Sequence, residues 1–413
     1  MTLAAAERKR RLSDRTKVIG LVSSGHFLAH FYVIVLPPLF PLLQREFGVS
    51  YSALGLLLTV SSVTTGLVQV PVGFLVDRFG PRLLLLTGLG CMSAAVILSG
   101  LTSSYSALLA MMLLLGGGNS VFHPADYSIL SARVEHTVLG RAFSLHTFSG
   151  HLGWAIAPTI MITLTALWGW RPALVAVGLC GLLVLGAILL FGRVLETGSS
   201  SGGSGGQPDP SMKAEKDAGG NHRNIRLLFT APMLLLFCYM IMASVAAIGL
   251  NSFTVVALVD LYDTSLDSAN LVLTVFLSCS AGGVLLGGLI ADRTKRHDLV
   301  IVAGFCIAAA ALVLVGSSWL PILAVSASIA LAGLMNGAIR PSRDIMVRAA
   351  APAGSVGKVF GFVTSGMNVG GAIAPLLFGW ILDQGQTPWI FYAAAGAMLL
   401  ALLAALLARP KAI

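Results

Sequence analysis

Charged residues are scarce in this sequence. Only 10% of its 413 residues are Asp, Glu, Lys or Arg, whereas about a quarter are charged in an ordinary soluble domain. Hydrophobic residues make up 56% of the chain, and they recur in runs of about 20 residues, the length at which a helix crosses a hydrocarbon core of about 30 Å. The composition excludes an ordinary soluble domain and indicates an integral membrane protein.

Cysteine and several functional signatures are also scarce or missing. The five cysteines are odd in number and all lie in apolar runs, which is typical of small packing residues rather than of disulfides or zinc ligands. The sequence contains no Gly-x-x-x-x-Gly-Lys-Ser/Thr string, so an ATP-driven pump is not expected. No nucleophile and base stand at a recognisable spacing. We therefore expect no enzyme, no cofactor and no bound metal.

Twelve apolar stretches are long enough to span a membrane, and they fall into two groups of six. They lie near residues 18–42, 52–76, 82–103, 105–131, 140–167 and 171–192, and near 227–259, 266–291, 297–317, 319–348, 355–383 and 387–408. The residues between the groups are rich in Gly, Ser, Pro and charge, a composition that cannot bury a core. We predict an all-α membrane protein with a six-helix bundle over 1–192, a flexible cytoplasmic linker over 193–224 and a second six-helix bundle over 225–413.

The positive charges favour one orientation in the membrane. If the N-terminus is inside, nearly all Lys and Arg fall in the inner connections, and the short outer ones carry only Arg45 and Arg171. The net charge of +9 is then a topology signal and requires no nucleic-acid partner. We expect a multi-pass protein of the plasma membrane, the inner membrane in bacteria, with both termini cytoplasmic and a functional monomer in the lipid bilayer.

The two groups of spans are copies of one another. "GFLVDR" at 73–78 returns as "GLIADR" at 288–293, and "GRAFSLHTFSGHLGWAIAP" at 140–158 returns as "GKVFGFVTSGMNVGGAIAP" at 357–375. The longer pair is identical at 8 of 19 positions. Because each copy holds an even number of spans, both copies enter and leave on the same side. The sequence therefore predicts parallel, pseudo-symmetric repeats related by an axis along the membrane normal.

The motif between the second and third spans carries a family resemblance. "GFLVDRFGPR" fills the pattern of Gly, three residues, Asp, Arg or Lys, one residue, Gly, one residue, Arg or Lys. With twelve spans in two parallel halves, the chain resembles the major facilitator superfamily, which implies a secondary active transporter. The resemblance also implies a conformational latch that holds the halves when the protein opens outward. Its residues in the two copies are Gly73, Asp77, Arg78 and Arg82, and Asp292 and Arg293.

Polar residues recur at matched places inside the spans. In the fourth and tenth spans Asn119, His123 and Asp126 correspond to Asn336, Arg340 and Arg343, and in the fifth and eleventh spans His151 corresponds to Asn368. Spacings of three and four place each set on one helical face. Because polar groups in a bilayer normally face the bundle interior, we expect these residues to line a substrate cavity. Pro124 and Pro341 should bend their helices.

Three further intramembrane histidines have weaker support. His26 and His30 are four residues apart in the first span and share a face, so we add them to the predicted substrate site. His146 points roughly 140° away from His151 around its helix, and its repeat counterpart Val363 is apolar, so we give it less weight. Any of these histidines could also serve as packing glue by hydrogen-bonding a neighbouring carbonyl.

The charges of the predicted cavity favour a small organic anion. The guanidinium forks of Arg340 and Arg343 suit a carboxylate or phosphonate, although Asp344 could neutralise Arg340 and Arg343 could extend to the inner face. Histidine changes charge near neutral pH, so His123 is our first candidate for proton coupling and Asp126 our second. The His-Pro segment of the fourth span also looks similar to the fosmidomycin-resistance and related small-anion transporters. A drug/proton antiporter and a transition-metal transporter using His26 and His30 remain alternatives.

Overall fold

The computed structural model describes residues 3–196, 229–350 and 356–408. Every regular element in those ranges is a helix, and twelve helical segments are long and apolar enough to cross a membrane. The predicted fold class, twelve transmembrane helices in two parallel six-helix bundles, is confirmed.

The helices follow the order of the predicted spans. Those of the first six spans are α1 (Leu3–Val33), α2 (Phe40–Phe47), α3 (Tyr51–Phe79), α4 (Pro81–Leu101), α5 (Tyr105–Asn119), α6 (Phe122–Arg133), α7 (His136–Trp168) and α8 (Trp170–Phe191). Those of the other six are α9 (Ala231–Tyr262), α10 (Leu266–Arg293), α11 (His297–Gly316), α12 (Ile322–Ala350), α13 (Val356–Asp383) and α14 (Trp389–Leu407). Short 3-10 helices cover Pro37–Leu39 and Gly192–Leu195.

Contacts divide the described chain into two compact units. Among the described residues, the first unit comprises 3–196 together with 265–277, and the second comprises the others. In the first unit α4 packs along α8 and α1 along α7; in the second α9 packs along α13 and α14, and α11 along α12. Of the predicted linker only 193–196 lies among the described residues; there the turn Gly192–Leu195 buries Leu195.

Sharp turns between spans use glycine where the backbone requires it. Gly80 and Gly169 have φ of 84° and 86°, a region that favours glycine, and each ends one helix and begins the next. Pro81 then occupies the first position of α4, where its missing N–H costs nothing. These turns explain why the spans are joined with almost no intervening chain.

Two spans are interrupted rather than merely bent. The first span breaks at residues 34–36, before Pro37 and Pro38, and resumes as α2. The fourth breaks at Ser120 and Val121, so that α6 begins directly before His123 and Pro124. Proline has no backbone N–H to donate to the carbonyl oxygen four residues earlier, so Pro37, Pro38 and Pro124 contribute to both breaks.

The tenth span departs from the expected symmetry. Pro341 lies inside the continuous helix α12, whereas its counterpart Pro124 follows a break. The sequence before Pro124 contains Gly116, Gly117 and Gly118 in succession, and glycine is a poor helix former. The break in the fourth span therefore results from proline and glycine together.

Candidate functional site

Three polar side chains from three helices meet inside the first unit. Asp126 on α6 is fully buried, and its Oδ2 atom lies 3.1 Å from Nδ1 of His26 on α1. The same oxygen lies 3.7 Å from Nε2 of His146 on α7. His26 and His146 are also buried, with 3% and 1% of their surface exposed. We call His26, Asp126 and His146 the Asp126 triad.

The two contacts of the Asp126 triad differ in kind. A separation of 3.1 Å is a hydrogen bond, whereas 3.7 Å is too long for one and is only an ion-pair distance. Oδ1 of Asp126 and both ring nitrogens of His146 have no hydrogen-bond partner among the described residues. One polar atom from each triad member lies within 4.8 Å of the other two. That spacing lets the three side chains share a proton, and it would also admit a small cation.

Other predicted site residues surround the Asp126 triad. The His30 ring lies 4.4 Å from the His26 ring and 4.4 Å from the Trp154 ring, between centroids. The His123 ring lies 5.5 Å from that of His26, and the His151 ring lies 5.5 Å from that of Trp154. The structure thus brings the predicted histidines of three spans into one neighbourhood.

The surface next to the triad is formed by His123 and Tyr127. Both residues are exposed, although Asp126 between them in the sequence is buried. Their rings stack at a centroid distance of 6.0 Å, and the Tyr127 ring also lies 5.9 Å from that of His146. These two side chains therefore connect the buried carboxylate with the surface of the first unit.

His146 is the residue to which sequence reasoning gave too little weight. Its repeat counterpart is the buried Val363, so a comparison of the two copies favours an apolar role. The Asp126 triad, however, has no counterpart of the same composition in the second unit, where Arg343 stands in the place of Asp126. A repeat comparison detects only what both copies share, and no other sequence signal indicates that His146 faces Asp126.

Gly150 of α7 leaves room for the His26 ring of the Asp126 triad to pack against the α7 backbone. A Cβ atom on Gly150 would lie 2.9 Å from Cδ2 and Nε2 of His26 and 3.1 Å from Nδ1 of His30. Three residues on, a Cβ atom on Gly153 would collide with the carbonyl group of Phe27. Helices α1 and α7 are therefore in near backbone contact along this stretch, as small residues allow in membrane bundles.

We predict that Gly150→Ala destabilises the protein by displacing His26. The added methyl group requires the imidazole to turn away from Asp126, and overpacking of this kind costs about 1–3 kcal/mol. Gly186→Ala on α8 is the matched control, because a Cβ atom there meets nothing within 4 Å. Thermal unfolding in detergent should show a lower midpoint for Gly150→Ala only; equal midpoints for the two variants would contradict this packing.

Asn119 forms a hydrogen bond between two helices in this structure. Its Nδ2 atom donates to Oγ1 of Thr65 at 3.4 Å. The Thr65 hydroxyl in turn contacts the carbonyl oxygens of Ser61 and Gly116 at 2.9 and 3.0 Å. The contacts of Thr65 with Asn119 and Gly116 join α3 to the end of α5, just before the break in the fourth span. Asn119 therefore helps to fix that break from one side.

In the second unit, the two predicted arginines lie on α12 close to the carboxylate of Asp344. Oδ1 of Asp344 accepts from Nε of Arg343 and lies 2.9 Å from both Nε and Nη2 of that residue. Arg340 is half-buried and interacts electrostatically with Arg343, Asp344 and the buried Tyr239. The described residues give Arg340 no hydrogen bond or ion pair of its own. Asp344 thus forms its direct ion pair with Arg343 and none with Arg340.

The remaining predicted substrate residues of the second unit, Asn336 and Asn368, form no side-chain hydrogen bond with another described residue. Asn336, one turn before Arg340 on α12, is half-buried, and Asn368 on α13 is exposed. Neither hydrogen-bonds a side chain within the described ranges. Their amides are therefore available to a ligand, and their place in a substrate site stays a prediction.

The charged latch residues Asp77, Arg78, Asp292 and Arg293 are exposed, whereas Gly73 and Arg82 are half-buried and Arg82 already has partners. Arg82 pairs with Glu196 and donates to the carbonyl oxygen of Leu189 at 3.1 Å, which ties the start of α4 to the end of α8. Asp77 and Asp292 are exposed and form no ion pair with other described residues. The latch therefore stays a prediction, with Arg82 also serving a contact inside the first unit.

Comparison with known proteins bears on what these sites do. The family model described as Major Facilitator Superfamily matches residues 22–256 and 240–412. The chain is 24% identical to the probable sulfoacetate transporter SauU of Cupriavidus necator, over 95% of this chain and 93% of that protein. It is also 24% identical to the fosmidomycin resistance protein of Escherichia coli, over 91% and 89%. A bacterial homolog of the human lysosomal transporter Spinster, solved in an inward-facing conformation, has a TM-score of 0.75 at 16% identity and covers 96% of both chains.

Proposed function

The chain belongs to the major facilitator superfamily, and we propose that it is a secondary active transporter that moves a small organic anion, a carboxylate or phosphonate, by alternating access coupled to protons. The family is one of transporters and not of enzymes. The twelve apolar helices make the protein a multi-pass membrane protein. A bacterial inner membrane, cytoplasmic termini and a functional monomer belong to the proposal.

The uncompensated charge of Arg340 is the observation that carries the anion proposal. A guanidinium stays charged at any working pH, and a charge within a membrane span is costly unless it is paired. Asp344 is paired with Arg343 at 2.9 Å, so the interior of the α12 span holds two guanidinium groups, those of Arg340 and Arg343, and one carboxylate. A carboxylate or phosphonate bound by the fork of Arg340 would remove that imbalance.

The relatives support an anionic substrate. One relative is a probable transporter of sulfoacetate, a small molecule with two acidic groups, and it aligns over nearly the whole chain. The fosmidomycin resistance protein aligns over a similar length. That this chain also carries a small organic anion of this kind is part of the proposal.

Proton coupling in the proposal uses the first unit. Histidine is the side chain whose unperturbed charge change lies near neutral pH, and five membrane-embedded histidines lie near Asp126 or Trp154. His123 is exposed beside the buried Asp126, so it is placed to pass a proton inward. Gly73, Asp77 and Arg78, and Asp292 and Arg293, would then act as the latch during alternating access.

The two alternative functions, a drug/proton antiporter and a transition-metal transporter, would move a cation instead of an anion. A drug/proton antiporter for cations would need acidic residues in its site, and Asp126 is already bound to His26 at 3.1 Å. A transition-metal transporter would use imidazole ligands, and the histidine cluster offers several of them. The anion proposal, in contrast, gives Arg340 a partner that neither alternative provides.

A thermal-stability screen tests the proposed function. A ligand that binds only the folded protein raises its apparent stability, by about 2.7 kcal/mol at 100 times its Kd. We expect sulfoacetate or another small carboxylate, sulfonate or phosphonate to raise the unfolding midpoint of the purified protein. Stabilisation by Zn²⁺ or by cationic drugs alone would instead favour one of the alternatives and contradict the proposal.

A further inference from the structure

Charges deep in the membrane spans balance when the histidines are neutral. Four charged side chains lie at least six residues from either end of a described span, namely Asp126, Arg340, Arg343 and Asp344. Two of them are positive and two are negative. The empty protein with a deprotonated Asp126 therefore carries no net charge in the interior of its described spans.

We infer that the Asp126 triad carries the coupled proton, and that this proton moves in the same direction as the anion. The inference rests on the proposed function and makes it more specific, because it names the proton site and selects symport over antiport. Two observations carry it: the geometry of the triad and the balance of the four interior charges.

The charge balance selects the direction of coupling. A singly charged anion bound at Arg340 without a proton leaves one excess negative charge in the span interiors, and a proton on the triad without an anion leaves one excess positive charge. Net charge inside the bilayer is costly. The empty form and the form that holds both ligands avoid that cost, so these two forms reorient most readily. Antiport would require reorientation of the two unbalanced forms.

The geometry of the triad gives the proton its site. One H⁺ enters from water and forms an O–H bond with the Asp126 carboxylate, whose Oδ2 lies 3.1 Å from Nδ1 of His26. The proton leaves to water when the same O–H bond breaks, and no other covalent bond is made or broken. His146, at 3.7 Å, is a positioning residue: a small movement toward Oδ2 would let it replace His26 as the donor. His123 and Tyr127 form the exposed route to the site.

No other charged group competes for Asp126 within the described chain. The titratable groups that face it are His26 and His30 of α1, His123 and Tyr127 of α6, and His146 and His151 of α7. The other elements packed on α6 are α3, α4 and the turn Gly192–Leu195, and their charged residues Asp77, Arg78, Arg82 and Arg193 form no ion pair with Asp126. Protonation of the triad is therefore the charge change available at this site.

Infrared titration tests the proton site without any substrate. Purified wild-type protein should show one carboxyl band that appears as the pH is lowered from 9 to 5, and this band should be missing in Asp126→Asn. His146→Gln should shift its midpoint, whereas His297→Gln, a variant of a histidine on α11 in the second unit, should leave it unchanged. A band that persists in Asp126→Asn, or an identical midpoint in His146→Gln, would overturn the assignment to the triad.

The direction of coupling is tested by the sign of a pH change. Proteoliposomes that contain a trapped pH dye receive an inward gradient of methanesulfonate, a sulfonate with one negative charge, and counterflow of the labelled anion shows independently whether it is carried. Symport predicts internal acidification in wild type, whereas Asp126→Asn should exchange methanesulfonate without any pH change. Internal alkalinisation would overturn symport. If counterflow with sulfoacetate and the other anions of the stability screen detects no transport, the proposed function fails while the infrared result still decides the proton site.

Discussion

Arg340→Ala is expected to abolish anion transport while the protein stays folded. The substitution removes the interior guanidinium with which Asp344 forms no direct ion pair. Truncation of one partner of a buried charge pair typically costs 2–5 kcal/mol, which corresponds to a loss of affinity of roughly 30- to 4,000-fold. Counterflow of the best-stabilising anion in proteoliposomes, together with its thermal shift in detergent, measures both consequences.

Two matched arginine variants separate substrate binding from stability. Arg348→Ala removes an exposed arginine from the same helix, so transport should remain close to wild type. Arg343→Ala leaves Asp344 without its partner, so it should lower the unfolding midpoint as well as transport. Wild-type counterflow in Arg340→Ala would remove the anion site from the second unit.

His26→Ala is expected to destabilise the protein strongly, and Asp126→Asn should reverse most of that effect in the double variant. The substitution leaves the buried carboxylate of Asp126 without its hydrogen-bond donor, and an unsatisfied buried acceptor costs about 1–3 kcal/mol, or more when it is charged. The 3.7 Å contact with His146 is too long to replace the lost hydrogen bond without movement. An amide at position 126 needs no counter-charge, so the double variant should unfold close to the wild-type midpoint.

A double-mutant cycle measures this coupling between His26 and Asp126. Thermal unfolding of the wild type, both single variants and the double variant should give a large interaction energy, because the two side chains are in contact. The deficit of His26→Ala should also shrink at low pH, since a protonated carboxyl group carries no charge. Additive effects of the two substitutions at neutral pH would show that the 3.1 Å contact does not stabilise the fold.

Much of the fold could be predicted from the sequence, because span length and repeated motifs are direct physical signals. Apolar runs of about 20 residues have one stable arrangement in a bilayer, the helix, and the copied segments at 140–158 and 357–375 predict parallel repeats. The effect of proline was less predictable. Pro124 follows a break and Pro341 lies in an unbroken helix, and this difference depends on the local glycine content and on packing with neighbouring helices.

The candidate site could be predicted only in part. Helical spacing placed His26 and His30 on one face and linked His123 with Asp126, and the structure brings these residues together. Spacing along one helix does not specify contacts between helices, however. The pairing of Asp126 with a residue 100 positions away, and the approach of His146, depend on how α1, α6 and α7 pack. The sequence spacing likewise suggested Arg340 as the partner of Asp344, and the structure pairs Asp344 with Arg343 instead.

Accumulation driven by a proton gradient tests the central claim most directly. Proteoliposomes with an alkaline interior receive the anion that stabilises the purified protein most, in labelled form and with the membrane potential clamped at zero. Coupled transport predicts that the internal concentration rises above the external one and returns to equality when a protonophore collapses the gradient. Equilibration at equal concentrations, with or without the gradient, would contradict a proton-coupled anion transporter.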